Sequence, residues 1–169
     1  MAALETKLYA NDPDIPYTTT KIPPLRTKAD IDGILARWGI TKVAWEFDLE
    51  RNIVRLQFEL PPEKFQGKTI HPVVRLEPPR IWNKQTRRAP ESVNWRISLR
   101  ILHWFIKDTL AMAYAMQSQK AVAFLPHIST GREATVKDVV LPRLHNLKAL
   151  PESEQPGNVI DAEIIEEEG

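Results

Sequence analysis

Val43-Ala-Trp-Glu-Phe-Asp48 and Ile53-Val-Arg-Leu-Gln-Phe-Glu-Leu60 decide the fold. Val43, Trp45 and Phe47 alternate with Ala44, Glu46 and Asp48; Val54, Leu56, Phe58 and Leu60 alternate with Ile53, Arg55, Gln57 and Glu59. A period of two sends successive side chains to opposite faces of a strand. With the polar turn Asp48-Leu49-Glu50-Arg51-Asn52 between them, the two runs predict an antiparallel hairpin with one buried and one wet face. Downstream, Pro61-Pro62 ends the second strand, Gln66-Gly67-Lys68 makes a turn, and Ile70, Val74 and Leu76 predict a third strand, with Pro72 best accommodated at an edge.

Upstream, Thr27-Lys28-Ala29-Asp30 resembles a capping box, followed by Ile31, Ile34, Leu35 and Trp38 at helical spacing and closed by Gly39. A short helix is expected over 28–38. Before it, Pro13, Pro16, Pro23 and Pro24 make residues 1–26 a Pro-rich extended arm, loose or draped on the domain. After Pro78-Pro79, residues 80–92 read as a basic loop whose Pro90-Glu91 opens a helix running to about Gln117. Its Val93, Ile97, Ile101, Leu102, Phe105 and Met112 form the apolar set that the hairpin would cover. Lys120 to Leu125 fits a strand or a helix equally, and Thr135-Val136-Lys137-Asp138 opens a small helix to about Leu147, with Pro142 as a kink or stop. The expected class is α+β: a short helix, a three-stranded antiparallel meander, a long amphipathic helix packed across it and a small C-terminal helix, in one domain over 27–147.

The 169 residues, 27% charged and without cysteine, exclude disulfide frameworks, thiolate zinc sites, iron–sulfur centres and cysteine nucleophiles. No run approaches the roughly 18 apolar residues of a membrane span, and the start lacks a signal-peptide pattern, so a cytoplasmic location and no membrane partner are expected. The near-neutral total of +1 hides an asymmetry: Glu152, Glu154, Asp161, Glu163, Glu166, Glu167 and Glu168 stand without a base over 151–169, which leaves +8 for the rest. A basic body with an acidic flexible tail, 148–169, suggests a polyanion partner, and a tail that competes for the same surface or recruits another protein. The alternative is a solvated tail on a mildly basic domain. Ile160, Ile164 and Ile165, followed by Glu166, Glu167 and Glu168, resemble a short docking motif for a protein partner.

No catalytic, metal or cofactor signature emerges. His71, His103, His127 and His145 stand on separate elements at no ligand spacing, and His103 is expected on the helix surface. The six glycines never cluster into a phosphate-binding loop, and no nucleophile elbow is present. Glu46, Asp48 and Glu59, on the wet face of the hairpin, are the only carboxylate group that a metal-dependent nuclease would use, and a solvated strand face explains them better. Positive charge is the most specific feature. Arg80, Lys84, Arg87, Arg88, Arg96 and Arg100 face one acid, Glu91, with Trp82 and Trp95 interleaved. Arg96, Arg100, His103 and Lys107 follow helical spacing and are expected as one continuous stripe that tracks a phosphate backbone, beside an exposed Trp82 that stacks an unpaired base.

Lys42-Val-Ala-Trp-Glu-Phe, Phe58-Glu-Leu-Pro, Asn94-Trp-Arg, Phe124-Leu-Pro-His and Val140-Leu-Pro-Arg-Leu together resemble a family of small phage and prophage proteins of unassigned function, over about residues 30–145. In topology alone, the order helix, meander, long helix is similar to the core of single-strand annealing proteins of the phage-recombinase type. That resemblance implies oligomers holding single-stranded DNA along a basic groove. The expectation is therefore a non-enzymatic nucleic-acid-binding protein of phage or mobile-element type, single-stranded DNA favoured. The contact residues would be Arg80, Trp82, Lys84, Arg87, Arg88, Arg96, Arg100 and Lys107. A homo-oligomeric assembly protein joined through its arm and tail is the alternative, and a metal-dependent nuclease comes last.

Overall fold

A computed structural model describes residues 6–131 and 134–141. The order is β1 (Leu8–Tyr9), α1 (Pro24–Arg37), β2 (Val43–Asp48), β3 (Ile53–Glu59), β4 (Glu63–Phe65), β5 (Lys68–Ile70), β6 (Val73–Leu76), β7 (Ile81–Asn83), β8 (Ser92–Val93), α2 (Trp95–Ala115), α3 (Lys120–Ala123), a 3-10 turn (Leu125–His127) and α4 (Val136–Val140). The chain is α+β, with the expected meander in the order β2-β3-β6 and the long helix α2. The hairpin register pairs Val43 with Phe58, Trp45 with Leu56 and Phe47 with Val54, and β3 alternates buried and half-buried residues as its sequence predicts.

One apolar cluster joins Ile31, Ile34 and Leu35 of α1, Leu56, Phe58, Val74 and Leu76 of the sheet, and Leu99, Leu102, Ile106 and Leu110 of α2. Each such side chain contributes about 1.5–3 kcal/mol when removed from water. The indole N–H of Trp45 donates to Asp32 at 2.8 Å and so fastens β2 to α1. Phe124 closes the far end, edge-on to Phe58 and Phe105.

Several boundaries differ from the sequence expectation. The first helix begins at Pro24, not after Thr27; Pro23 is its N-cap and Thr27 is buried inside it. Proline is tolerated at the first helical position because its missing N–H has no partner there in any case. Ile70 does not join the third strand. It belongs to the separate β4–β5 hairpin, whose turn residues Gln66 and Gly67 both take positive φ, while β6 starts after Pro72, whose carbonyl accepts from the Leu60 N–H. Residues 80–92 are not a free loop, because β7 and β8 pair within them. The arm is draped on the domain, with β1 running parallel to β7 and Leu8 opposite Ile81.

Helix α2 starts at Trp95, capped by the Asn94 side chain, so Pro90 and Glu91 precede it. Its buried face only partly matches the expected one: Ile97 and Leu102 are inside, together with Leu99, Ile106 and Leu110, whereas Phe105 and Met112 are exposed and Val93 is buried in β8 before the helix begins. Lys120–Ala123 is helical. At α4, Thr135 and Asp138 form a reciprocal capping box, and the Thr135 hydroxyl holds the Asp138 carboxyl below its ordinary range. The expected continuation to Leu147, His145 and the tail with Ile160, Ile164, Ile165, Glu166, Glu167 and Glu168 lie outside the described residues. No described helix is long and apolar enough to cross a membrane.

Candidate nucleic-acid interface

The small sheet β1-β7-β8 is tied to the start of α2, which fixes where the basic residues stand. The Asn94 N–H donates to the Ile81 carbonyl at 2.6 Å, the Asn94 amide nitrogen donates to Asn83 at 3.0 Å, and Asn94 accepts from the Ile97 N–H. One side chain thus caps α2 and sets the β7–β8 pair upon it. Between the strands, the Thr86 hydroxyl accepts from the N–H groups of Arg88 and Ala89, and the Thr86 N–H donates to the Ala89 carbonyl. This tight turn directs Arg87 and Arg88 into solvent.

The only acid in this stretch, Glu91, is already engaged. Its carboxylate accepts from Lys7 and from the Tyr9 hydroxyl, the latter at 2.9 Å. Lys7 first, and then Tyr9, hold the Glu91 carboxyl below its ordinary range, while Glu91 raises both the Lys7 ammonium and the Tyr9 phenol. Lys7 lies 4.6 Å over the Trp82 ring and Lys84 lies 5.3 Å over that of Tyr9. Arg80, Lys84, Arg87, Arg88 and Arg96 are exposed, and among the described residues they make no ion pair. Arg80 lines both a cleft of about 760 Å³ shared with Lys7, Leu8, Glu77, Pro78 and Trp82 and a smaller one of about 110 Å³ toward Arg55 and Trp95.

The other expected contacts separate from this group. Helix α1 covers the middle of the supposed stripe. Arg100 is 16% exposed and ion-paired with Asp30 at 3.4 Å, and His103, expected on the surface, is 7% exposed. Burial, and then the Arg100 charge, press the His103 imidazole below its ordinary pKa, so it is the neutral form that packs there. Lys107 lies 4.2 Å over Trp104, which in turn stacks on Tyr17 of the arm. Trp82 is half-buried in β7 rather than freely exposed. Sequence reading missed Lys7 and Tyr9, whose only local signal is a Lys-Leu-Tyr alternation too short to stand out, and missed Asn94, whose place just before Trp95-Arg-Ile97 is an N-cap signal.

The carboxylates of the wet sheet face do not form a metal centre. Glu46 pairs with Arg55 at 3.2 Å, Asp48 with Arg51 at 3.6 Å, and Glu59 with Lys42 at 2.9 Å. Glu46 sits opposite Arg55, four residues along β3 from Glu59, a separation of about 13 Å that no single ion bridges. No group of three metal-ligating side chains occurs among the described residues. No known protein family, curated protein or solved structure matches this chain.

Proposed function

We propose that this protein binds nucleic acid, single-stranded DNA in preference to duplex, without catalysis, in the cytoplasm of a cell carrying a phage or mobile element, in recombination or replication. One observation carries the reading: Lys84, Arg87, Arg88 and Arg96 are exposed on the β7–β8 loop and the first turn of α2 and make no ion pair among the described residues, while Glu91 is taken by Lys7 and Tyr9; Arg80, also without an ion pair, stands before β7 and shares its clefts with Glu77 and Glu46, both bound to Arg55. Clustering like charges costs stability, and Arg96 adds to that cost by sitting in the first turn of α2, where the helix dipole is positive and no acid compensates. A polyanion repays both costs by replacing condensed counterions. The cleft between Lys7, Trp82 and Arg80 gives an unpaired base a place beside the phosphate contacts. The shared order of helix, meander and long helix with annealing proteins supports the single-strand preference by analogy alone.

Fluorescence anisotropy with single- and double-stranded oligonucleotides at two salt concentrations tests the reading. Salt-sensitive binding, tighter for single strands and weakened by Arg87→Ala/Arg88→Ala, is expected. An affinity untouched by that double substitution removes these residues from the interface.

A second reading, assembly with further copies of this chain, is favoured by the exposed apolar residues Met112, Tyr114, Met116, Val122 and Leu125 at the C-terminal end of α2 and on α3 and the turn after it. Sedimentation of the full chain distinguishes a monomer from an oligomer, and Met112→Lys would reduce the mass of the latter.

A further inference from the structure

Arg80 just before β7, Lys84, Arg87 and Arg88 of the β7–β8 loop and Arg96 at the start of α2 have a counterpart in this same chain. Glu152, Glu154, Asp161, Glu163, Glu166, Glu167 and Glu168 occupy the C-terminal segment with no base among them. We propose that this acidic segment docks on the patch of Arg80, Lys84, Arg87, Arg88 and Arg96 and must be displaced before a nucleic acid binds there. The proposal rests on the reading of that patch as a nucleic-acid surface.

Charge, reach and tethering support it. Glu91 is held by Lys7 and Tyr9, and Glu46 and Glu77, which line the clefts beside Arg80, are held by Arg55, so Lys84, Arg87, Arg88 and Arg96 have no ion-pair partner among the described residues. The last acid, Glu168, lies 27 residues beyond Leu141, the end of the described chain. That length spans up to ~90 Å when extended, against a radius of gyration of about 15 Å for a domain of this size. Every part of the surface is therefore accessible to it. Other exposed lysines, such as Lys64 and Lys68 on the β4–β5 hairpin, stand in smaller groups along the chain. Attachment to the same chain gives an effective concentration of about a millimolar, so a contact with a dissociation constant of only ~0.1 mM would lower apparent nucleic-acid affinity about tenfold.

The test uses the full chain with an oligothymidylate, which cannot pair with itself. Replacing the seven tail acids by Gln or Asn is expected to tighten binding about tenfold at low salt, with the gain shrinking at high salt as the contact is screened. Because that change also raises net charge, a second readout is needed: carbodiimide coupling in the unaltered chain. It should join Lys84 to tail carboxylates within single molecules, and added oligothymidylate should suppress the product. Equal affinities at low salt, or a gain in affinity without the Lys84 cross-link, would overturn the docking. If the cross-link forms but neither protein binds the oligonucleotide, the docking stands and the nucleic-acid reading falls.

Discussion

Arg96 and Arg100 sit one turn apart on the same helix and end in opposite roles. Arg100 meets Asp30 of α1 and is largely covered, whereas Arg96 precedes the α1 contact and stays open beside the β7–β8 turn. The flank of α2 that packs on α1 uses its charges for cohesion: Asp30 also binds Arg26 at 3.3 Å, and His103 is buried nearby in its neutral form. The β7–β8 flank leaves its charges unused internally. Residue type and helical spacing are the same in both; what separates structural from available charge is the presence of a neighbouring element.

This contrast predicts that substitutions on the two flanks separate stability from binding. The largest effect is expected in the shared core, where Leu102→Ala should cost about 2–5 kcal/mol in chemical denaturation. Arg87→Ala/Arg88→Ala should leave the unfolding midpoint unchanged, yet weaken single-strand binding about tenfold or more at low salt. The same change should lower the slope of log affinity against log salt by about 1.4, for two lost phosphate contacts. A drop in stability of similar size in that variant would break the distinction. Asp30→Asn should do the reverse: it strips Arg100 of its partner and costs about 1–3 kcal/mol while leaving DNA affinity intact. Asn94→Ala should cost about 1 kcal/mol, the usual value of a lost N-cap, and because Asn94 also sets β7 on α2 it is expected to affect binding as well.

The smallest effect is a dependence on pH. Burial, and then the Arg100 and Lys107 charges on its own helix, hold the His103 imidazole below its unfolded value of 6.5, while Asp30 and Asp108 act in the opposite direction. The unfolded chain therefore binds more protons as the pH falls below about 7, and stability present at neutral pH is lost toward acid. His127 acts in the same direction, through burial and the Lys137 charge. Melting curves from neutral pH down into the acid range should show this decline, and His103→Gln should flatten it.

Much of the fold was legible because its central elements carry long periodic patterns. The hairpin Val43–Glu59, the helix ending before Gly39, the end of α2 near Gln117 and the Thr135–Asp138 cap follow from local spacing. The sheet β1-β7-β8 was not legible, since its strands are two or three residues long, too short for any alternation to stand out. The face of α2 was misjudged for a related reason. One helix flanked by both a sheet and another helix buries a wider arc than a single apolar stripe indicates, so His103 goes in while Phe105 and Met112 stay out. Of the candidate site, the loop cations were readable as composition, whereas the withdrawal of Arg100 and His103 depended on α1.

The parallel pairing of β1 with β7 also sets a timetable. Lys7 and Glu91 are 84 residues apart, so the arm leaves the ribosome long before its partner does. At about 5–20 residues per second the gap amounts to several seconds. The β2–β3 hairpin closes on a local turn, while β1 waits for a distant strand, and such non-local closure comes late in folding. The groove between Lys7 and Trp82 thus cannot form until β7 has been made, and a nascent chain interrupted before Ile81 would emerge with the residues of its hairpin complete and that groove missing.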